Sequence, residues 1–426
     1  MNLLIGLFFS LGLLLSIPMS SFALEYDWSG HLRAQSSLGW YQADHIMSET
    51  AGQQYFLDGS ADLRLNYTFF LTEHSSLELG YEAASSGGQS RKAMLKLAPG
   101  SSYARLAGAS VPSDDHQLFD LTGVSSGNRD YIAYHRIDRL LLALDGDYGT
   151  IKAGRQALTW GNGQIFNPAD LVNPFAPADI IRDYKIGTDM LLYQTGGERV
   201  SDFQLVYVPR RNPENGKLDG SQATFGGKVR ISRNEMDVDL LLLRSYEDSI
   251  IGSGLTGFLG GAIYRTDWTL TFLGDDPDRD QYLSIVANID YSWVLQEKNW
   301  YGFVELYYKE LGADSPAEAL HDQTLVSRLL RGELFVTGKY YFDAMVQYEA
   351  HPLVNCFVSA IVNLEDHSFL LQPRLVWEMT ESMQVLAGFN LPVGGRGDEF
   401  GEGEDLETGF AVGRSVQGYA LITWFF

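Results

Sequence analysis

Cysteine is nearly absent from this 426-residue chain, and the single Cys356 excludes several things at once. No internal disulfide can form, no cysteine lies near Ala23 to carry a lipid, and no Cys-x-x-Cys-His segment exists to attach haem covalently. Cys356 is therefore read as a small wall residue. Basic residues are scarce too, with 31 Lys and Arg against 54 Asp and Glu and a formal net charge of −23. So acidic a surface repels phosphate, which removes nucleic acid from the partners. Beyond residue 23 no apolar run approaches the roughly 20 residues that a membrane-spanning helix needs. There is no His-Glu-x-x-His helix, and the 8 histidines are scattered without ligand spacing, so neither an enzyme nor a bound metal or cofactor is expected.

What is present is alternation. Hydrophobic residues make up 45% of the chain and the mean hydropathy is −0.11, an ordinary average behind which alternating strands conceal an apolar face. Aromatics reach 13%, with 23 Tyr and 8 Trp, a supply suited to the girdles of a membrane barrel. Leu57, Gly59, Ala61, Leu63, Leu65, Tyr67 and Phe69 alternate with Asp58, Ser60, Asp62, Arg64, Asn66 and Thr68. After a polar turn at 72–75 the pattern resumes, with Leu77, Leu79, Tyr81 and Ala83 against Glu78, Gly80 and Glu82. The same hairpin grammar recurs to the end of the sequence. Enclosed charges need partners or water, and a water-filled lumen supplies the water.

Connections alternate in length. Short turns are expected near Glu73, Gly146, Gly197, Asn234, Thr266, Glu297, Pro352 and Glu381, and long polar loops over 41–54, 86–128, 159–186, 209–221, 274–280, 311–325 and 393–413. This predicts an all-β fold: one transmembrane antiparallel up-and-down β-barrel over 24–426, of about 18 strands, with 16 the alternative where 326–348 and 355–364 resist parsing. Short turns would face the periplasm and long loops the outside. At the other end of the chain, residues 3–17 are almost wholly apolar, and Pro18 and Ser21-Phe-Ala23 follow. A signal peptide over 1–23 is expected, although no Lys or Arg precedes Arg33, and an uncleaved anchor is the competing reading.

The last strand places Val416, Gly418, Ala420, Ile422, Trp424 and Phe426 on one face, with Gln417, Tyr419 and Thr423 between them. Such a strand needs a partner, and pairing with the first strand would leave no open edge. This ending resembles the terminal phenylalanine strand of Gram-negative outer-membrane β-barrels. The resemblance implies the bacterial outer membrane, contact with its lipid and lipopolysaccharide, and a barrel-assembly machinery that reads Trp424 and Phe426 as its signal.

The least generic stretch is the third long loop: Gly154-Arg-Gln156, Leu158-Thr-Trp-Gly-Asn-Gly163, Ile165-Phe-Asn-Pro168, Asp170 and Asn173-Pro-Phe-Ala-Pro177. Its aromatics and prolines suggest a stiff, compact loop. The phrase resembles one in porin-like outer-membrane barrels of proteobacteria. That resemblance implies a diffusion channel for small hydrophilic solutes whose third loop folds into the lumen, with Arg155, Trp160, Phe166, Asp170, Phe175, Arg182 and Asp183 as candidate constriction residues. A stabilised surface loop remains the alternative.

Candidate lumen charges are Asp58, Asp62, Glu78, Glu82, Asp290, Glu305 and Glu378 against Arg64, Lys228, Arg230, Lys309 and Arg374. The acidic excess predicts modest cation selectivity. Tyr301 and Tyr307 are candidate aromatic steps for sugars. Acidic loops at 275–280 and 398–407 could bind divalent cations through oxygen, but neither has a defined calcium-loop spacing. A homo-oligomer stays open, as does a second reading: a scaffold barrel holding a periplasmic or surface partner such as a multihaem cytochrome or a lipoprotein.

Overall fold

The computed structural model describes residues 25–97, 113–174, 184–197, 201–274, 276, 279–404, 411–413 and 415–426. The expected signal segment lies outside them. In chain order the strands are β1 (Glu25–Trp40), β2 (Tyr55–Thr72), β3 (Ser75–Gly88), β4 (Thr122–Gly127), β5 (Tyr131–Gly146), β6 (Gly149–Gln156), β7 (Thr188–Thr195), β8 (Asp202–Val208), β9 (Thr224–Arg233), β10 (Met236–Ser245) and β11 (Asp248–Leu259). They continue as β12 (Ala262–Phe272), β13 (Gln281–Leu295), β14 (Lys298–Lys309), β15 (Tyr340–His351), β16 (Val354–Asn363), β17 (Phe369–Thr380), β18 (Met383–Val393), β19 (Glu402–Glu404), β20 (Ala411–Gly413) and β21 (Val416–Phe425).

Nineteen of these share one sheet. Every pairing in it is antiparallel between neighbours, and β21 returns to pair with β1 from His31↔Phe425 to Trp40↔Val416, so the sheet closes. Phe426 extends the seam by exchanging two backbone hydrogen bonds with Gly30, at 2.8 and 3.0 Å. β4 is the odd member. It pairs with the outer half of β5, beyond the point where β6 stops, and so covers an edge that β6 leaves when it turns away after Gln156. The remaining eighteen strands form the barrel wall.

The alternation seen in the sequence sets the two faces. Leu57, Leu142, Leu191, Leu205, Leu242, Leu306 and Ile422 point out and are exposed, while Arg64, Glu82, Gln204, Asp239, Asp267, Asn288 and Glu305 point in and are buried. Exterior aromatics cluster near the short-turn end: Trp28 lies 5.7 Å from Phe426 and 6.5 Å from Tyr67, and Tyr291, Trp293, Trp300 and Tyr348 run side by side across three strands. Such a ring suits the headgroup level of a bilayer. Cys356 occupies an exterior position of β16, opposite Leu375 and Tyr348.

Seven of the eight expected short turns are found where the sequence places them. Asn234-Glu235 and Gln296-Glu297 have positive φ at both central residues, the twist a two-residue hairpin needs. The turn expected at Thr266 is instead Gly260-Gly261, with φ of +57° and +90°, and Thr266 sits inside β12 opposite Leu255 and Ala287. At the other end are nine connections, L1 to L9: 41–54, 89–130, 157–187, 209–223, 246–247, 273–280, 310–339, 364–368 and 394–415. L5 and L8 were not foreseen, because both are too short to register as loops. L7 extends well past 325 and carries two helices, Pro316–Ala319 and Gln323–Leu330. Helix Ile46–Ala51 of L1 and helix Gln89–Met94 of L2 pack on each other through Ile46, Met47 and Ala93 over Phe56.

Candidate lumen constriction

L3 leaves β6 at a backbone that only glycine tolerates. Gly154 has φ +124°, and a Cβ there would lie 2.0 Å from the Leu140 carbonyl oxygen. The loop then turns on Trp-Gly-Asn-Gly. Gly161 has φ +86° and Gly163 lies against the Phe166 carbonyl, so both glycines are required by the tightness of the turn. Asn167 ties it shut by donating from Nδ2 to the Trp160 carbonyl, at 2.8 Å.

From there the loop is fastened to the inner wall, strand after strand. Trp160 is 1% exposed and donates from Nε1 to Gln204 of β8 at 2.6 Å. Asn162 donates from its backbone and its Nδ2 to Asp267 of β12, while Arg230 of β9 donates to the Asn162 Oδ1 and clamps Asp239 of β10. Glu305 of β14 accepts three successive backbone N–H groups, from Gln164, Ile165 and Phe166, at 2.7, 3.1 and 2.8 Å. The Phe166 ring stacks on Tyr307 at 4.5 Å and leans on Tyr341 of β15 at 5.3 Å.

The loop's other limb is held on the opposite side of its own stem. Tyr184 donates to Glu82 of β3 at 2.6 Å and lies 3.8 Å beneath the Arg64 guanidinium of β2. Burial raises the Tyr184 hydroxyl well above its ordinary pKa, so it stays a donor. The described parts of L3 therefore touch the wall from β15 round to β2. Asp170 and Lys185 link the two limbs as a buried ion pair. Burial pushes the Asp170 carboxyl up to about 6, against the pull of Lys185.

Two apolar patches of the inner wall accept this loop. Met190, Leu192, Val206, Val208, Leu241, Leu243 and Ile250 pack with Leu158, Trp160, Ala169 and Val172. Val286, Tyr307, Tyr341, Ile361 and Leu370 pack with Phe166, with Val336 of L7 and with Phe400 of L9. Only about 40 Å³ remains between L3 and L7 beside Phe166, Thr271, Tyr307 and Val336. Glu399 fixes L9 to the same region by accepting from Thr337, Tyr341 and Asn363.

Arg155 is placed differently from the rest. It is 2% exposed at the outer end of β6, and its guanidinium is engaged by Asp189, by Asp114 of L2 and by the carbonyls of Phe119 and Ile137. It anchors L2 rather than presenting a free charge. Phe175, Arg182 and Asp183 lie outside the described residues.

Most lumen charges come in pairs: Arg64 and Arg139 with Asp138, Arg136 with Glu82, Arg230 with Asp239, and Arg265 with Asp290, while Asp62 meets the His31 ring at 3.0 Å. Asp58 accepts from Ser90, Lys228 stands 3.9 Å from Asp202, Glu378 accepts from Gln384, and Arg374 lies over Phe357. Glu78 lines a cavity of about 610 Å³ at the short-turn end with Asp145, Asp147, Lys152 and Asp202. Lys309 is fully buried and donates to the Leu311 carbonyl. Tyr307 is covered by Phe166, so it offers no open face to a sugar. Trp424 and Phe426 contact each other at 5.2 Å on the exterior seam.

Several lumen residues escaped the sequence reading. Arg136, Asp138, Asp239, Asp267, Tyr341 and Asp343 all face inward and are buried, and Arg265 faces inward to pair with Asp290. A usable signal existed: Met190-Leu-Leu192, Leu240-Leu-Leu-Leu243 and Ile250-Ile251 are apolar on both faces, which in a strand means that both faces are covered. Gly123-Val-Ser-Ser-Gly127 spells a nucleophile-elbow pattern, yet it forms the edge strand β4 and not a strand-to-helix turn.

No protein-family profile matches the chain, and no curated protein matches it either. Solved structures do. A BenF-like porin from Pseudomonas fluorescens superposes with a TM-score of 0.53 at 8% identity, covering 94% of this chain and 98% of that one. OccAB4 of Acinetobacter baumannii gives 0.52 at 8% identity, covering 96% and 100%, and OccK7 of Pseudomonas aeruginosa gives 0.50 at 11%, covering 95% and 99%. At these identities the likeness is one of fold, that of a large closed antiparallel barrel.

Proposed function

We propose that this chain is an outer-membrane channel of a Gram-negative bacterium, through which small hydrophilic solutes diffuse past a constriction formed by its own third loop. The observation that carries this reading is the seating of L3 on the inner wall by Trp160, Asn162, Glu305 and Tyr184. A loop so fastened narrows the lumen without filling it with another protein. The fold it shares with a BenF-like porin and with OccAB4 supports a channel. The scaffold alternative is weakened because L3, L7 and L9 already occupy inner-wall surface that a lumenal partner would need.

A mild cation preference is part of the proposal. Since Glu82, Asp138, Asp239 and Asp290 are each paired with arginine, the preference rests on the cavity at the short-turn end, where Glu78, Asp145, Asp147 and Asp202 outnumber Lys152. The experiment is single-channel recording of the purified protein in a planar bilayer under a salt gradient, beside a variant lacking residues 160–180. Current steps that grow on deletion, with a cation-selective reversal potential, support the proposal. Equal steps from both proteins remove L3 as the constriction, an anion-selective potential removes the charge preference, and silence from both folded proteins returns the scaffold reading.

A further inference from the structure

On β9 and β12, Lys228, Arg230 and Arg265 point into the lumen and meet Asp202, Asp239 and Asp290. Arg244 of β10 has the opposite parity. It follows Leu240 and Leu242 on the exposed outer face of the wall, one position short of the outer end of its strand. Among the described residues it makes no hydrogen bond and no ion pair. The acids of the L5 turn beside it do not answer it, since Asp248 is held on the inside by Arg328 and Glu247 forms no ion pair.

Register sets Arg244 in a level row. Across the ladder it faces Phe225 of β9 and Ser249 of β11, and beyond these stand Tyr207 of β8 and Phe272 of β12. All five are exposed, Phe225 at 60%, Tyr207 at 45% and Phe272 at 40%. The row beneath, Leu205, Leu242, Ile251 and Leu270, is aliphatic. Aromatic rings above aliphatic ones mark the level at which hydrocarbon gives way to headgroups, here on the long-loop side of the barrel. An unpaired guanidinium is costly in hydrocarbon and is tolerated at this margin, where an anion can meet it. The Ser249 hydroxyl also lacks a partner among the described residues, and residues opposite one another on adjacent strands lie about 5 Å apart, so both donors can serve one oxyanion. Arginine's planar fork suits phosphate. We propose that Arg244 and Ser249 hold the phosphate of an outer-leaflet glycolipid of the lipopolysaccharide class, with Phe225, Tyr207 and Phe272 against its first acyl carbons. A chain of net charge −23 repels such a lipid elsewhere, so one placed cation decides where it docks.

The test uses the full chain refolded in detergent free of lipopolysaccharide, with native mass spectrometry counting the lipid A retained per barrel. Wild type is expected to retain one bisphosphorylated lipid A under conditions where Arg244→Gln retains roughly tenfold less, with Ser249→Ala between them. Lipid A stripped of phosphate should bind both proteins equally and weakly. Arg233→Gln, at the exposed short-turn end of β9, should retain as much as wild type. Equal retention of intact lipid A by wild type and Arg244→Gln overturns the proposal, and so does full retention of the phosphate-free lipid by wild type. Phosphatidylglycerol or inorganic phosphate displacing lipid A at equal concentration would mean a phosphate from another source, and an equal loss in Arg233→Gln would mean charge without place; either result is fatal. Should Arg244→Gln fail to run as a folded, heat-modifiable band, Arg244→Lys takes its place, keeping the charge without the fork, and wild-type retention by that variant overturns the proposal as well.

Discussion

Glu305→Ala removes in one step the acceptor of three consecutive L3 amides and leaves the ladder of β14 intact. A hydrogen bond to a charged group contributes about 1.5–3 kcal/mol, and a donor stranded without an acceptor costs about 1–3 kcal/mol. Water can reach a released loop and recover part of this, so the net loss for three amides is roughly 3–5 kcal/mol. The stacking of Phe166 on Tyr307 survives and returns only about 1 kcal/mol. At 1.4 kcal/mol per factor of ten, the ratio of seated to unseated loop should fall by roughly two to three and a half decades. Glu305→Gln keeps one acceptor oxygen and should fall between the two. The assay is open-channel current and its noise in planar bilayers, paired with protease cleavage at 160–170, while the SDS heat-modifiability of the barrel serves as the control. Current, noise and cleavage should rise in the order wild type, Gln, Ala with an unchanged barrel transition. If Glu305→Ala matches wild type in all three readouts, the carboxylate is not what seats the loop and the reasoning fails.

Two further outcomes follow from the same loop. Asp170 titrates near 6 when buried against 3.8 when free, so its contribution to seating is complete below about 4 and is lost progressively as pH rises to about 6, by at most roughly 3 kcal/mol; channel noise should therefore grow from about pH 4 to about pH 6 and level off above, and Asp170→Asn should flatten the profile. Gly161→Ala forces a side chain onto a φ of +86° with its Cβ 2.0 Å from Asn167 Oδ1, whereas Gly216→Ala in L4 also has positive φ but open space around it; the first should loosen L3 to protease several-fold and the second should leave L3 cleavage at the wild-type rate.

How far the sequence reached depended on the range of the interaction. Alternation over 57–69 is local, and it gave the faces of β2 correctly because each side chain's direction follows from its neighbours. The Trp-Gly-Asn-Gly turn was legible for the same reason. Tyr340–His351 was not, because the apolar residues of the preceding L7, such as Leu325, Leu329 and Val336, imitate a strand while packing as helix and loop. Thr266 reads as a turn because Arg265 and Asp267 flank it, yet Asp267 lies inside the wall and receives Asn162. Which acid meets which donor was beyond reach: Glu305 and Phe166 are 139 positions apart, and only the register of the strands between β6 and β14 brings them together.

The seam between β1 and β21 also sets the order of events in time. Leu32 meets Trp424 and Trp40 meets Val416, so the pairing that closes the wall joins the earliest described strand to the last. Until β21 is in place, β1 and β18 are both raw edges, and each can recruit a foreign strand. Closing so long a loop is entropically slow, and the penalty is incurred before the final contacts repay it. Folding of this barrel is therefore a race between ring closure and aggregation, decided by how quickly ten residues at one margin find sixteen at the other.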